Sequence, residues 1–246
     1  MKDILQDVVA HTHALGFLSL VKVSNDEGTT IDSMAEDRSV IMSAQTANPV
    51  AEFKGTFGMP NLDKLALHLK NPEYKDKAKI SVVEAERNGD VVPTHIHFEN
   101  DAGDFQNDYR FMNKAIIEEK LKTVKFKGAS WNVEVKPSVA SISRMKLMSA
   151  AHSEEPTFNV STKVTGGATD LIFSFGDAST HAGEFVFQNN VEGSLQHTWS
   201  WPVAQVQSIL SLSGDITMSI SDQGAMKISV NSGMATYDYI LPAQSK

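Results

Sequence analysis

Two histidines separated by one residue, His95 and His97, have the spacing in this sequence that best fits metal chemistry. Alternate residues of a β-strand point to the same face of the sheet, so both imidazoles would face the same way. Asp101, four residues after the pair, adds a carboxylate. A catalytic metal usually takes three protein ligands, and no later histidine stands in a matching motif. The sequence therefore predicts no metal ligands, and the pair is interpreted as a surface feature of a strand.

The sequence lacks the motifs of other catalytic sites. It has no Gly-Lys-Ser/Thr phosphate loop, no Gly-x-Ser-x-Gly elbow and no His-Glu-x-x-His. It also has no cysteine, which excludes a disulfide scaffold, a thiolate zinc site and a cysteine nucleophile. We therefore predict no catalytic residues, no enzymatic activity and no cofactor.

Composition restricts the class of protein further. The 246 residues include 22 Lys and Arg against 30 Asp and Glu, a net charge of -8, whereas proteins that coat nucleic acid are usually basic. A local basic surface on an acidic body is still compatible with nucleic-acid binding. The apolar fraction of 41% excludes a disordered tail. No window approaches the roughly 20 apolar residues of a membrane span, and no signal peptide is recognisable, so we predict a cytoplasmic protein without a membrane partner.

Hydrophobic spacing predicts the elements that would position functional residues. Four amphipathic helices are expected, over 3–15, from Pro60, over 138–152 and from Pro202. The expected inward residues of the last three are Leu62, Leu65, Leu69; Val139, Ile142, Met145; and Val203, Val206, Leu210. Short strands fill most of the remainder, and Asn88-Gly89 between two of them predicts a β-hairpin.

The order of these elements repeats, which predicts an internal duplication. The segment 57–60, an aromatic residue followed by a helix-starting proline, aligns with 199–202, and the helix faces after the two prolines match in spacing. Repeats of this size are whole domains. We predict an α+β chain with one domain over 1–112, a lysine-rich connector over 113–130 and a second domain over 131–246.

Several segments resemble DNA polymerase sliding clamps, the PCNA-like processivity factors of DNA replication, and most of all the two-domain clamps of bacteriophages. The similar segments are 57–69, 131–148, 201–212, 215–220 and 237–243. The resemblance implies two similar domains, each with two helices packed on antiparallel sheet. It also implies a homotrimeric ring closed head to tail by edge strands, which encircles double-stranded DNA without reading its sequence. Implied partners are a DNA polymerase and a clamp loader, in the host cytoplasm if the protein is viral.

A clamp needs weak attraction to phosphates from the exposed faces of its helices. The cationic or titratable side chains that lie away from the apolar stripes are Lys64, His68, Lys70, Arg144 and Lys146. We predict that these residues contact DNA. The first helix is acidic and the last carries no cation, so the predicted attraction is weak.

The resemblance also implies an apolar pocket for short peptides of partner proteins, between the connector and the C-terminal strand. The matching residues here are Val124, Phe126, Tyr239, Leu241 and Pro242. Packing in the protein core explains the same residues and is favoured for Tyr239.

Two other functions stay open at this point. His95 and His97, with Gly89 six residues before and Asp101 four residues after, resemble the first metal motif of a cupin barrel, so a cupin-like metal-binding β protein is the main alternative. A structural phage protein or an oligomeric β-rich binding module is the third possibility.

Overall fold

The computed structural model describes residues 1–75, 77–87, 89–122, 126, 128–177, 179 and 181–244, with the side chains of residues 87 and 90 left aside. The chain divides into two compact units. Unit 1 contains Met1–Val124 and Ser232–Tyr237, and unit 2 contains Lys125–Asn231 and Asp238–Lys246. The domain limits drawn from the sequence, 1–112, 113–130 and 131–246, stay predictions.

Unit 1 begins with a helix, which is followed by four strands, a second helix, three more strands and a third helix. Its elements are α1 Lys2–His11, a 3₁₀ turn His13–Leu15, β1 Val21–Asn25, β2 Thr29–Met34, β3 Ile41–Thr46, β4 Gly55–Met59, α2 Leu62–Lys70, a 3₁₀ turn Pro72–Tyr74, β5 Lys79–Arg87, β6 Asp90–Glu99, β7 Gln106–Arg110 and α3 Lys114–Lys120.

Unit 2 repeats this succession after one additional short strand. Its elements are β8 Val133–Val135, α4 Val139–Ala151, β9 Thr157–Thr165, β10 Ala168–Phe175, β11 Gly183–Gln188, β12 Trp199–Pro202, α5 Val203–Ile209, β13 Asp215–Ser221, β14 Ala225–Asn231 and β15 Ala235–Pro242. The first residues of β15, as far as Tyr237, belong to unit 1.

Strand order confirms the duplication that the sequence predicts. In unit 1 the first four strands lie in the order β4-β1-β2-β3, and in unit 2 their counterparts lie in the same order, β12-β9-β10-β11. The remaining strands, β5-β6-β7 and β13-β14-β15, also neighbour one another in the same succession. The fold is therefore α+β, with two similar halves built mainly of antiparallel sheet.

Each half buries one face of its helices. α1 buries Ile4, Leu5, Val8 and Val9, and α2 buries Leu62, Leu65 and Leu69 as predicted. α5 buries Val206 at its centre. Burial of such apolar surface stabilises the fold by roughly 25 cal/mol per Å². Among the described residues, no helix is long and apolar enough to cross a membrane.

The predicted inward face of α4 is partly wrong. Val139 is 83% exposed, whereas Ser141 and Met145 are buried. The hydroxyl of Ser138 accepts a hydrogen bond from the Ser141 amide at 3.0 Å, so Val139 is the first residue of the helix. Successive residues of a helix are rotated by about 100°, so Val139 lies away from the face on which Ser141 and Met145 are buried.

Both helix-starting prolines lie just outside their helices. The carbonyl of Pro60 accepts a hydrogen bond from the Tyr109 hydroxyl, and Asn61 adopts a left-handed conformation with φ 52° before α2 begins. Pro202 caps α5. The predicted hairpin is present as β5 and β6, although Asn88 itself lies outside the described residues.

The beginning of the connector is a helix anchored to unit 1. Asn113 caps α3 by accepting a hydrogen bond from the Ile116 amide at 3.0 Å. Ile117 is fully buried against Gly58 in β4, where an added Cβ would lie 2.8 Å from its Cδ1 atom. Part of the predicted connector, around Ile117, is therefore packed against unit 1 and shielded from solvent.

Candidate nucleic-acid interface

The helices of each unit pack in pairs, α1 with α2 and α4 with α5. A hydrogen bond of 3.1 Å from the Ser149 hydroxyl to the Gln207 side chain joins the second pair. Because the buried faces of these helices cover the sheets, their other faces are available to a ligand. Four of the five residues predicted to contact DNA are exposed on these faces.

On α2 the exposed face carries two lysines. Lys64 and Lys70 are exposed, and Leu67 between them is 67% exposed. Leu67 is three residues from each lysine, so the two charges flank this exposed leucine and point about 120° apart around α2. Their contact with DNA stays a prediction.

His68 is the exception among the predicted DNA contacts. Its ring is half-buried and stacks on Phe98, with 5.1 Å between the ring centroids, and also meets the edge of Tyr74. Burial lowers the pKa of His68 below its ordinary value. At neutral pH this side chain therefore supplies packing to unit 1 and no positive charge to DNA.

On α4, Arg144 and Lys146 are both exposed but are rotated by about 200° from each other around the helix axis, and Leu147 is 71% exposed. Lys146 also lines a groove of about 650 Å³ between α4 and the end of α5. Lys136, just before the helix, lines the same groove. Lys136 precedes the helix, so a search along helical faces does not include it.

One acidic residue of α1, Asp7, is hydrogen-bonded to other side chains of unit 1. Asp7 accepts hydrogen bonds from the Tyr237 hydroxyl at 2.7 Å and from the Ser232 hydroxyl at 3.0 Å, all within unit 1. This carboxylate is therefore held by hydroxyl donors of unit 1.

The residues predicted to form a partner pocket differ in exposure. Phe126 is 38% exposed and stacks on Trp131, with 5.9 Å between the ring centroids, and Pro242 is exposed. Tyr239 and Leu241 are fully buried in the core. Val124 lies outside the described residues. The pocket stays a prediction, and Phe126 and Pro242 are its accessible described members.

A polar cluster lies on the solvent face of β6 and β7. His95, His97 and Asp108 bring one ligand atom each within 4.8 Å of one another. Burial lowers the pKa of His95, against the opposite effect of the Asp108 carboxylate. The sequence spacing points to Asp101 and not to Asp108, because only the register of β6 and β7 sets Asp108 opposite His97.

Neither protein-family models nor curated protein sequences match this chain. Solved structures do match, and they are sliding clamps of the PCNA type. PCNA from Thermococcus kodakaraensis has a TM-score of 0.68 at 8% identity, over 99% of this chain and 97% of that chain. A. fulgidus PCNA, bound to the C-terminal region of FEN-1, has a TM-score of 0.66 at 11% identity, over 100% and 95%. PCNA from Entamoeba histolytica has a TM-score of 0.63 at 11% identity, over 99% and 94%.

The whole chain thus has the fold of PCNA-type sliding clamps, with the two-domain arrangement that the sequence predicts. The cupin-like interpretation of His95 and His97 is not favoured, because the two histidines lie on a three-stranded sheet within this fold.

Replacing Lys64, Arg144 and Lys146 together by alanine is expected to weaken association with duplex DNA. Each lost phosphate contact should reduce the slope of log affinity against log salt by about 0.9. Fluorescence anisotropy over a salt series at pH 7.5 measures this slope. His68→Ala is the matched control, and its salt slope should be unchanged because the ring is neutral at this pH. An unchanged slope in the triple variant would remove these residues from the interface.

Proposed function

We propose that this protein is a DNA sliding clamp, a ring of three chains that encircles duplex DNA and tethers a replicative polymerase. The observation that carries the proposal is the match of the entire chain to PCNA-type clamps together with the duplicated strand order. A clamp of this kind acts mechanically, as a scaffold without catalytic residues. The bacteriophage type, with two domains in each of three chains, remains our assignment.

The duplication supports specific edges for ring closure. Within unit 1, β3 is neighboured by the first residues of β15. The counterparts of these two strands are β11 and β7. In the part of the chain that the structure describes, β11 and β7 each end their sheet with one side unpaired. Unpaired edges invite pairing with another chain, so we infer that β11 of one chain pairs with β7 of the next.

Such an interface is heterologous, and it gives a closed ring when the rotation between neighbours divides a full turn. Three chains with two units each would place six similar units around the DNA. The strand pairs whose register is described are antiparallel, and the same orientation is expected at the interface.

Weak attraction to DNA fits this mechanism. The exposed cations Lys64, Lys70, Arg144 and Lys146 stand on a chain with a net charge of -8. A closed ring remains on DNA because the two are topologically linked, and low affinity then permits sliding along the phosphates.

Partner proteins would bind elsewhere on the ring. The neighbour from A. fulgidus is bound to the C-terminal region of FEN-1. By analogy, we propose that Phe126 and Pro242 help to receive short segments of a polymerase and a clamp loader.

Native mass spectrometry at tens of micromolar is expected to show a species with the mass of three chains. The trimer is expected because pairing of β7 with β11 at three identical interfaces leaves neither edge open. On dilution the trimer should dissociate to single chains without a stable dimer between them. A head-to-tail dimer is not stable because it leaves one β7 edge and one β11 edge unpaired. A stable dimer or a monomer at these concentrations would contradict the ring.

A further inference from the structure

We propose that His95, His97 and Asp108 bind one divalent transition-metal ion of the zinc class on the solvent face of β6 and β7. The proposal concerns unit 1 alone. It is independent of whether the chain encircles DNA.

The register of the sheet assembles the three ligands. His97 stands opposite Asp108, and His95 stands two residues along β6. Ile96 and Tyr109, the alternate residues of the same strands, are buried on the other face. The alternation of β-strands therefore directs both imidazoles and the carboxylate to the same solvent-facing surface.

The separations of the ligand atoms fit coordination. With metal–ligand bonds of about 2.0–2.1 Å, two ligands of a tetrahedral zinc ion lie about 3.3 Å apart. The Nε2 atom of His95 lies 3.5 Å from Asp108 Oδ1, and the Nδ1 atom of His97 lies 2.8 Å from the same oxygen. The first distance already suits an ion, and the second needs to lengthen by about 0.5 Å.

A neighbouring hydroxyl orients the His95 ring. The Thr94 hydroxyl donates its proton to the Val83 carbonyl at 3.0 Å, so its oxygen is left to accept from His95 Nδ1 at 2.9 Å. This contact favours the tautomer with the ring proton on Nδ1 and a lone pair on Nε2, the atom that faces Asp108. The Arg110 guanidinium, 3.3 Å from Nδ1, favours the opposite tautomer. A second contact that fixes the tautomer of a metal-binding histidine is typical of metal sites.

Without an ion, Asp108 Oδ1 accepts a hydrogen bond from His97 Nδ1 at 2.8 Å, and a metal ion would replace that proton. In the tautomer that the Thr94 contact favours, no proton lies between His95 Nε2 and Asp108 Oδ1, which are 3.5 Å apart. A metal ion between the two atoms would bind both lone pairs. Imidazole and carboxylate ligands together favour zinc and its neighbours in the first transition series over magnesium or calcium.

The positive charge of Arg110 disfavours a metal ion at His95, His97 and Asp108. Its guanidinium lies 3.3 Å from Asp108 Oδ2 and 3.3 Å from His95 Nδ1, and its side chain is 69% exposed. The Thr94 contact with Nδ1 is the shorter of the two, and Asp108 Oδ1 is not taken by the guanidinium. An exposed arginine can swing away, but its charge reduces the affinity for a cation.

Isothermal titration of the full-length chain with zinc chloride in a non-chelating buffer tests the proposal. We expect one ion per chain, and a loss of affinity of at least tenfold in His97→Gln and in Asp108→Asn. Thr94→Val should weaken binding by 10- to 100-fold through the orientation of His95 alone. Arg110→Ala should strengthen binding, which a purely structural role of the cluster would not produce.

His197→Gln is the matched control, because His197 also faces a carboxylate, that of Asp222 at 3.7 Å. This variant should bind zinc like the unmodified chain. Circular dichroism confirms that each variant is folded, and the visible absorption of bound cobalt reports the coordination directly. Zinc affinity that is equal in Asp108→Asn and in the unmodified chain, or binding lost in the His197 variant instead, would overturn the proposal.

Discussion

A covalently closed ring of this protein is expected to stay on circular DNA in denaturant and to leave linear DNA completely. The absence of cysteine makes the experiment clean, because introduced cysteines are then the sole thiols of the chain. Gln106→Cys on β7 and Gln188→Cys on β11 lie at the ends of the strands that antiparallel pairing would bring together. A flexible bismaleimide would join them across each interface.

The expected result follows from topology and not from affinity. A ring crosslinked at three interfaces around a nicked circular plasmid cannot dissociate in denaturant, whereas the same ring slides off a linear duplex. Cutting the plasmid after crosslinking should release the protein. Each single-cysteine variant is the control, since it supplies one thiol per interface and cannot close the ring. Equal retention on circular and linear DNA would contradict the encircling mechanism.

Much of the fold was accessible from sequence because it depends on local periodicity. The inward leucines of α2 at positions 62, 65 and 69 are buried as predicted. The duplicated order of elements is also visible in the spacing of apolar residues, and the resemblance to sliding clamps agrees with the fold. Helix faces and the order of elements along the chain follow from patterns a few residues long, which one sequence displays.

What the sequence left open depends on contacts between distant residues. Asp108 meets His97 because of a strand register. His68 carries the spacing of a surface residue on α2, yet Phe98 from a later strand covers it. In each case a tertiary partner, absent from the local pattern, decides the environment of the side chain.

Trp201→Ala is expected to destabilise unit 2 by about 3–5 kcal/mol, the usual cost of deleting a large buried ring. Trp201 is fully buried in β12, and its Nε1 atom donates a hydrogen bond to the Leu241 carbonyl at 3.1 Å. The substitution would leave a cavity and an unpaired carbonyl in β15, the strand that leads to Pro242. The C-terminal part of the predicted partner pocket should loosen with it.

Trp131→Ala provides the matched control for this prediction. Trp131 is half-buried, and its ring receives Lys227 Nζ at 5.3 Å, a partly exposed cation–π contact that contributes about 0.5–1 kcal/mol. Urea unfolding followed by circular dichroism measures both variants at one chain concentration, because assembly adds to apparent stability. Equal losses in the two variants would show that Trp201 does not anchor β15. A large loss of unfolding free energy in Trp201→Ala alone would show that Trp201 anchors β15 to the core of unit 2. The proposed partner pocket, which includes Pro242 of β15, would then depend on the same contact.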